Sequence, residues 1–229
     1  MNYEALLSSV PKKKLEVAII GVRGFNHSLF VYGGRSKFLS IRILCGRNVQ
    51  TCINAYESIG ITSEWVQHVT SEEEALRAFE SGKYLVFDDV ELAMKMPFDI
   101  VVEGTGSPEA SAMHVLSAIE NGKHVVMVTK ESDSVAGPLL AAKARAKGLI
   151  YSLAEGDQPA LLVGLVSWAR TAGLSVLSIG KSSEYDFVYD PRSSTMQARG
   201  MTLSVEGFEA AWELIGETES ALRSRSQLL

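Results

Sequence analysis

The segment from Ala18 to Phe30, AIIGVRGFNHSLF, joins an apolar run to a turn that contains glycine. Glycines at such a turn let backbone N–H groups approach a phosphate, which then lies at the start of the following helix. Gly21 and Gly24 are present, but Arg23 and Asn26 stand where the spacing G-x-G-x-x-G would have glycine. The segment therefore predicts a phosphate-binding turn of altered composition.

A second way of counting the same turn, as G-x-x-G-x-x-G, keeps Gly21 and Gly24 and loses only the last glycine, to His27. We interpret His27 as a helix-cap or packing residue, and Phe25 as part of the binding turn. Three interpretations of Arg23 stay open: an exposed surface side chain, an ion pair with a bound phosphate, or a side chain that fills and blocks the turn.

A basic residue follows the second apolar run, SIRILC (Ser40–Cys45), within the sequence CGRN. At this position an acidic residue holds the ribose 2′-hydroxyl of NAD, whereas an arginine suits the 2′-phosphate of NADP. Arg47 thus favours NADP, with NAD still possible. The alternative is that Arg47 is an ordinary surface arginine in a loop.

Four polar segments follow other apolar runs. The carboxyl ends of parallel strands lie at one edge of a sheet, and ligands bind there. We therefore expect the four segments to converge on one rim and form a site. They are EGTGSPEASA (Glu103–Ala112), TKESD (Thr129–Asp133), EGDQP (Glu155–Pro159) and GKSS (Gly180–Ser183).

Apolar runs that alternate with helical segments supply the elements that position these residues. Strands separated by single helices pair in parallel through right-handed crossovers. The pattern predicts an α/β fold with a Rossmann-type doubly wound parallel sheet. The predicted strands are Leu15–Ile20, Ser40–Cys45, Tyr84–Phe87, Asp99–Gly106, His124–Thr129, Leu149–Ala154 and Leu174–Gly180.

The helices between the strands have recognisable ends. Ser71 and Glu74 form a predicted capping box, and Ser107 precedes a proline that suits the first position of a helix. Glycines are predicted to end three helices, at Gly122, Gly148 and Gly173.

The pattern changes after residue 181, so we predict a dinucleotide-binding Rossmann-like domain over residues 1–181 and a C-terminal helical or irregular extension over residues 182–229. Residues 182–200 are polar with weak periodicity and predict a loop or an extended arm. Residues 206–225 predict a helix. Its apolar positions are Phe208, Ala211, Leu214 and Ile215.

Composition limits the classes of partner. The chain has 229 residues and a net charge of -5, which argues against a nucleic-acid partner, and the basic run Pro11–Lys14 reads as a solvated flank. Cys45 and Cys52 have neither disulfide nor metal spacing and predict buried thiols in the cytoplasm. No apolar run is long enough to predict a membrane span, and the N-terminal residues lack a signal-peptide pattern.

The segment from Val101 to Ala160, together with LSIGK ending at Lys181, resembles the homoserine-dehydrogenase-like oxidoreductases. It looks closest to the branch that includes the deoxyxylulose-phosphate-reductoisomerase-like enzymes. The likeness extends from about Leu15 to Lys181. It implies NADP-type binding at the first turn, with Arg47 matching a basic residue of that branch.

The resemblance also implies roles for individual residues. Thr105 and Pro108 would line the nicotinamide side, and three residues would face the substrate: Lys181 polarising an oxygen, and Asp157 or Glu131 orienting it or relaying a proton. For each carboxylate, a satisfied loop cap is the alternative. The predicted cofactor-binding residues are Gly21, Arg23, Gly24, Phe25, Arg47, Gly104, Thr105, Gly106, Pro108 and Thr129.

Two functions follow from these observations. The first is an NADP-dependent oxidoreductase that acts on a small polar carbonyl or hydroxyl compound, phosphorylated or not, in a homo-oligomer whose neighbouring chain completes the cleft. The alternative is a non-catalytic nucleotide-binding or regulatory partner subunit derived from this family. The altered glycine turn favours the alternative, as does the absence, before Leu229, of the second domain that family members carry.

Overall fold

A computed structural model describes residues 13–156, 158–180, 187–190, 192–198 and 201–204 of the chain. The chain divides into two compact units, Met1–Gly164 and Leu165–Leu229. The predicted domain boundary after residue 181 stays a prediction.

The first unit is built on a seven-stranded sheet. Its central strands are short runs of branched apolar residues, as expected for strands that are buried on both faces. The strands are β1 (Leu15–Ile20), β2 (Leu39–Cys45), β3 (Val66–His68), β4 (Tyr84–Phe87), β5 (Ile100–Glu103), β6 (His124–Met127) and β7 (Tyr151–Leu153).

The strand order is β3-β4-β2-β1-β5-β6-β7, and every neighbouring pair is parallel. The chain therefore moves outward in one direction from β1 to β2, and in the other direction from β5 to β7. This reversal between β1 and β5 is the switch point at which doubly wound sheets open a crevice. The predicted α/β Rossmann-like fold is confirmed.

Helices connect the strands, together with a 3-10 turn at Ser63–Trp65. The side chain of Ser71 accepts a hydrogen bond from the Glu74 N–H at 3.4 Å, as the capping box predicts. The helices are α1 (Phe25–Gly33), α2 (Val49–Ser58), α3 (Glu72–Glu80), α4 (Val90–Met94), α5 (Pro108–Glu120), α6 (Lys130–Ala146) and α7 (Gln158–Thr171).

Two apolar clusters cover the two faces of the sheet. One packs α1 and α2 against one face of the sheet through residues such as Phe30 and Tyr56. The other packs the four helices α3, α4, α5 and α6 against the opposite face through residues such as Phe79 and Leu140. Cys45 and Cys52 are buried free thiols, as predicted. Burial raises the pKa of Cys52 to about 11 and raises that of Cys45 further.

Two strand predictions differ from the structure. The sequence missed β3, because three half-exposed residues carry no apolar run. The prediction of a strand at Leu174–Gly180 is wrong, since these residues form no strand. The side chains of Leu174, Leu177 and Ile179 are more than half exposed, and an apolar run without a pairing partner does not make a ladder.

The second unit contains a three-stranded antiparallel sheet in the order β10-β9-β8, formed by β8 (Phe187–Asp190), β9 (Thr195–Ala198) and β10 (Met201–Ser204). The prediction of a loop or extended arm over residues 182–200 is therefore wrong for the described part. Asp190 accepts hydrogen bonds from the Arg192 N–H and the Ser193 hydroxyl, which favours a turn between β8 and β9. The predicted helix over residues 206–225 lies outside the described residues.

The buried lysine Lys123 directly precedes β6, at the end of the strands away from the switch-point crevice. The Lys123 ammonium donates to the carbonyl oxygens of Met96 at 2.6 Å and Phe98 at 3.0 Å. It lies 4.4 Å from the centre of the Phe98 ring. Desolvation lowers the pKa of Lys123, and the charge of Asp99 opposes this shift, so the two carbonyl partners, the ring and Asp99 together stabilise the buried ammonium.

Replacing this lysine tests its structural contribution. We expect Lys123→Met to lower the free energy of unfolding by about 1–3 kcal/mol, because two buried carbonyls lose their donor. The matched control is Lys95→Met, whose half-exposed ion pair with Glu72 contributes at most about 1 kcal/mol. Urea denaturation of both variants measures the difference, and equal losses would show that the buried contacts contribute nothing specific.

Candidate functional site

The turn after β1 presses directly against the end of β5. Gly21 has a φ of +80°, and a Cβ atom at this position would lie 2.8 Å from the Gly104 oxygen and 2.9 Å from the Thr105 Cα. Its N–H donates to the Cys45 oxygen at 2.9 Å. Both the backbone angle and the close approach therefore require glycine.

The Asn26 side chain lies inside the turn, not on its surface. Its amide nitrogen donates to the carbonyl oxygens of Ile20 at 3.1 Å and Gly21 at 2.8 Å, and the residue is 1% exposed. A Cβ atom at Gly104 would collide with this carboxamide. Asn26 thus braces the turn where a third glycine was expected, and Gly104 supplies the space.

Helix α1 begins directly after this turn. Gly24 is its N-cap residue and has no side chain to cap the first N–H groups. Uncapped N–H groups at a helix start, with the helix dipole, favour an anionic ligand. The turn keeps the features of a phosphate site although two of its glycines are replaced.

The turn after β5 is held by a buried carboxylate that the sequence analysis did not select. Glu103 is fully buried and accepts hydrogen bonds from the N–H and the hydroxyl of Thr105, at 3.2 and 2.7 Å. The Ser111 hydroxyl donates to it at 2.7 Å, and the His114 ring nitrogen lies at 3.2 Å. An acidic residue at the end of an apolar strand was the available signal.

These contacts decide the charge of Glu103. Desolvation raises the pKa of this carboxyl, but hydrogen bonds from His114, Thr129, Thr105 and Ser111 outweigh the desolvation, and the net pKa is lowered from 4.5. Glu103 is therefore a carboxylate at neutral pH, even though it lies in the interior.

A cleft of about 230 Å³ opens between the ends of β1, β5 and β6. It adjoins the switch point, where ligands of doubly wound sheets bind. The residues that line it are Arg23, Phe25, Asn26, Gly104, Gly106, Val128, Thr129, Lys130 and Glu131.

Six of the predicted site residues lie in this cleft, and their roles stay predictions. Arg23 is exposed and lines the cleft without filling it, which leaves the surface and phosphate-pairing interpretations open. The Thr129 hydroxyl accepts a hydrogen bond from the Gly106 N–H at 3.1 Å and links the turn after β5 to the end of β6. The six are Arg23, Phe25, Gly104, Gly106, Thr129 and Glu131.

The other predicted residues lie beside the cleft or beyond the described part of the chain. Thr105 is exposed between two cleft glycines, and Pro108 is the first residue of α5. Arg47 is exposed after β2 and is not one of the residues that line the cleft. Asp157 and Lys181 lie outside the described residues.

A lysine that lines the cleft was missed by the sequence analysis. Lys130 lines the cleft next to Glu131, at the start of α6. The segment TKESD was expected in the site for its carboxylate, and the amine was assigned to Lys181. With Arg23, the cleft offers two cations and one carboxylate, which suits a ligand with negative charge and a group that exchanges a proton.

The part of the chain that the structure describes lacks the residues for two other kinds of site. Within it, no group of three His, Cys, Asp or Glu side chains could hold a metal ion. No described helix is both long and apolar enough to cross a membrane.

The fold and the cleft have the features that are typical of nucleotide-binding α/β proteins: a parallel doubly wound sheet, a glycine turn against the neighbouring strand, and a crevice at the switch point. Residues 46–153 match the family described as "Homoserine dehydrogenase, NAD binding domain". Over these residues the chain is similar to the NAD-binding domain of homoserine dehydrogenases.

Known proteins agree with this match. The chain is 44% identical to the homoserine dehydrogenase of Pseudomonas aeruginosa strain PAO1 over 144 residues, which cover 56% of this chain and 33% of that enzyme. The chain therefore spans about a third of the length of that relative.

Solved structures show weaker similarity. Homoserine dehydrogenase of S. aureus aligns with a TM-score of 0.43 and 19% identity, over 62% of this chain and 32% of that one. An NAD-binding oxidoreductase of Klebsiella pneumoniae aligns with a TM-score of 0.48 and 15% identity, over 70% of this chain and 39% of that one.

The contact at Gly21 can be tested by adding a methyl group. We expect Gly21→Ala to lower the free energy of unfolding by at least about 3 kcal/mol, since backbone strain and overpacking add. Gly60→Ala is the control: its φ is +86°, but a Cβ atom there meets nothing within 4 Å, so we expect a loss of about 1 kcal/mol. Guanidinium denaturation compares them, and similar losses would contradict the close approach.

Proposed function

We propose that the chain binds NADP across the switch point and functions as an NADP-dependent oxidoreductase on a small polar carbonyl or hydroxyl compound. The observation that carries this proposal is the backbone contact of Gly21 with the end of β5, which leaves a glycine-lined cleft beside the uncapped start of α1. A dinucleotide requires this combination of close backbone approach and helix N-terminus.

The cofactor would extend over three strand ends. Arg47, after β2, would bind the 2′-phosphate, and the turn from Gly21 to Gly24 would receive the pyrophosphate at the start of α1. The nicotinamide would enter the cleft, near Thr105 and Pro108. A cleft of about 230 Å³ is smaller than the roughly 300–1,000 Å³ of a complete ligand pocket, which fits one end of a dinucleotide.

A bound nicotinamide would supply the hydride chemistry, so the chain has to position the substrate and move a proton. Glu131 and Lys130 line the cleft together, and this pairing makes Lys130 a candidate beside Lys181 for polarising the substrate oxygen. Glu131 or Asp157 would orient that oxygen or relay the proton. Arg23 would bind a phosphate or carboxylate group.

We also infer three properties at a finer level. The resemblance of the sequence to the deoxyxylulose-phosphate-reductoisomerase-like branch is the reason for proposing a substrate that carries phosphate or other polar groups. A cleft that is partly open to solvent suits a homo-oligomer in which a neighbouring chain or a partner subunit completes it. Free buried thiols suit a reducing cytoplasm.

The NADP preference can be tested at Arg47. We expect Arg47→Asp to weaken NADPH binding by about 10- to 100-fold, because a charge-assisted contact with the 2′-phosphate is lost, and to weaken NADH binding much less. Titration followed by cofactor fluorescence measures both. Arg145→Asp, the same charge change at an exposed position late in α6, is the control. An equal loss for NADPH and NADH would remove the argument for NADP.

Turnover separates the enzyme from a non-catalytic binding subunit. We expect NADPH oxidation with at least one member of a panel of sugar phosphates, aldonates and aspartate-derived aldehydes. With that substrate, Lys130→Met should lower kcat by about 100-fold, since general acid–base groups contribute roughly 10²–10⁴. Lys143→Met, an exposed position in the same helix, should leave kcat unchanged. NADPH binding without turnover of any compound would favour the binding subunit.

A further inference from the structure

The buried carboxylate of Glu103 lies behind the turn 103–106, which lines the cleft at the end of β5. We propose that Glu103 is a positioning residue that holds the turn 103–106 in the shape that admits the ligand, acting through Thr105 and without touching the ligand itself. The expected effect on ligand affinity rests on the proposed function, whereas the expected effect on the turn itself does not.

Beyond Gly104, which is held against β1, the turn has few other constraints that could fix its shape. Glu103 accepts from both the N–H and the hydroxyl of Thr105, and the Thr129 hydroxyl accepts from the Gly106 N–H. Gly106 has a φ of +74° and meets nothing within 4 Å of a Cβ position, so side-chain packing does not hold it. The hydrogen bonds to Glu103 and Thr129 therefore determine where Thr105 and Gly106 lie.

The arrangement requires the charged form of Glu103. One of its oxygens faces the Thr105 N–H, the Thr105 hydroxyl and His114, and the other faces the Ser111 hydroxyl. A carboxylate has lone pairs for all of these donors, whereas a protonated acid or an amide presents a hydrogen to some of them. Loss of the charge should release the Thr105 end of the turn.

The titratable groups around Glu103 come from three elements. His114 of α5 contacts it directly at 3.2 Å. Tyr151 of β7 has its pKa raised by desolvation, by Asp133 and in part by the charge of Glu103. Asp133 of α6 accepts a hydrogen bond from Tyr151 at 2.7 Å. Two carboxylates thus flank Tyr151, and His114 is the titratable base in contact with Glu103.

The pH dependence follows from the lowered pKa of Glu103. A group whose pKa is lower in the folded state stabilises the protein above its unfolded value, here 4.5, and loses this contribution as pH falls through the folded value. The difference in unfolding free energy between wild type and Glu103→Gln should therefore shrink as pH falls below 4.5.

The experiment compares Glu103→Gln with Glu109→Gln, which removes the same charge from an exposed position in the first turn of α5. Hydrogen exchange of the full chain reads the turn directly. We expect the Thr105 amide to exchange at least about 10-fold faster in Glu103→Gln, because a charge-assisted hydrogen bond is lost, and the Val101 and Val102 amides to be unchanged. Glu109→Gln should match wild type.

The second readout is NADPH affinity, measured by cofactor fluorescence. We expect Glu103→Gln to raise Kd by about 10-fold through the displaced turn, Glu103→Asp to restore part of the affinity, and Glu109→Gln to change it little. If Glu103→Gln does not fold, Thr105→Val, compared with Thr105→Ser, removes the same hydroxyl contact from the other side.

The outcomes separate the two proposals. Unchanged exchange at Thr105 in Glu103→Gln would overturn the positioning role, whatever binds in the cleft. Faster exchange at Thr105 with an unchanged Kd would overturn its link to the ligand. If wild type binds no NADPH, the proposed function fails, while the exchange experiment still decides whether Glu103 holds the turn.

Discussion

The contact between the backbone at Gly21 and the backbone at Gly104 and Thr105 constrains the rest of the site. The strand order reverses between β1 and β5, so these two turns form adjacent walls of the crevice. Because the walls touch through backbone atoms, their separation is fixed without adjustable side chains. The start of α1 and the first part of the turn 103–106 then follow from the positions of the two strands.

Replacing glycines in the turn after β1 changes which groups hold that turn, but it does not change the shape of the turn. Asn26 binds two carbonyl oxygens from inside the turn and occupies space that Gly104 leaves open. A polar side chain therefore braces the turn that glycine packing would otherwise define. Glu103 does the same for the facing turn, so two buried polar groups, one neutral and one charged, shape the cleft from beneath.

Sequence patterns predicted the elements whose burial shows in composition. Continuous apolar runs such as Leu15–Ile20 become central strands, since both faces are covered. Val66–His68 gave no signal because its side chains are half exposed, and Leu174–Gly180 gave a false one because pairing depends on a neighbour. Cleft residues could be predicted where a polar segment directly follows the end of a strand. The inward direction of Asn26 and the position of Lys130 depend on packing in three dimensions, which spacing does not encode.

The two thiols of the first unit have a practical consequence. Cys45 and Cys52 lie in the packed interior, and burial raises the pKa of both, so little thiolate forms and reagents cannot reach it in the native state. Alkylation can then occur only when this part of the molecule opens. The chain thus carries an intrinsic chemical reporter of opening on the slow timescale, readable by mass spectrometry without any added label.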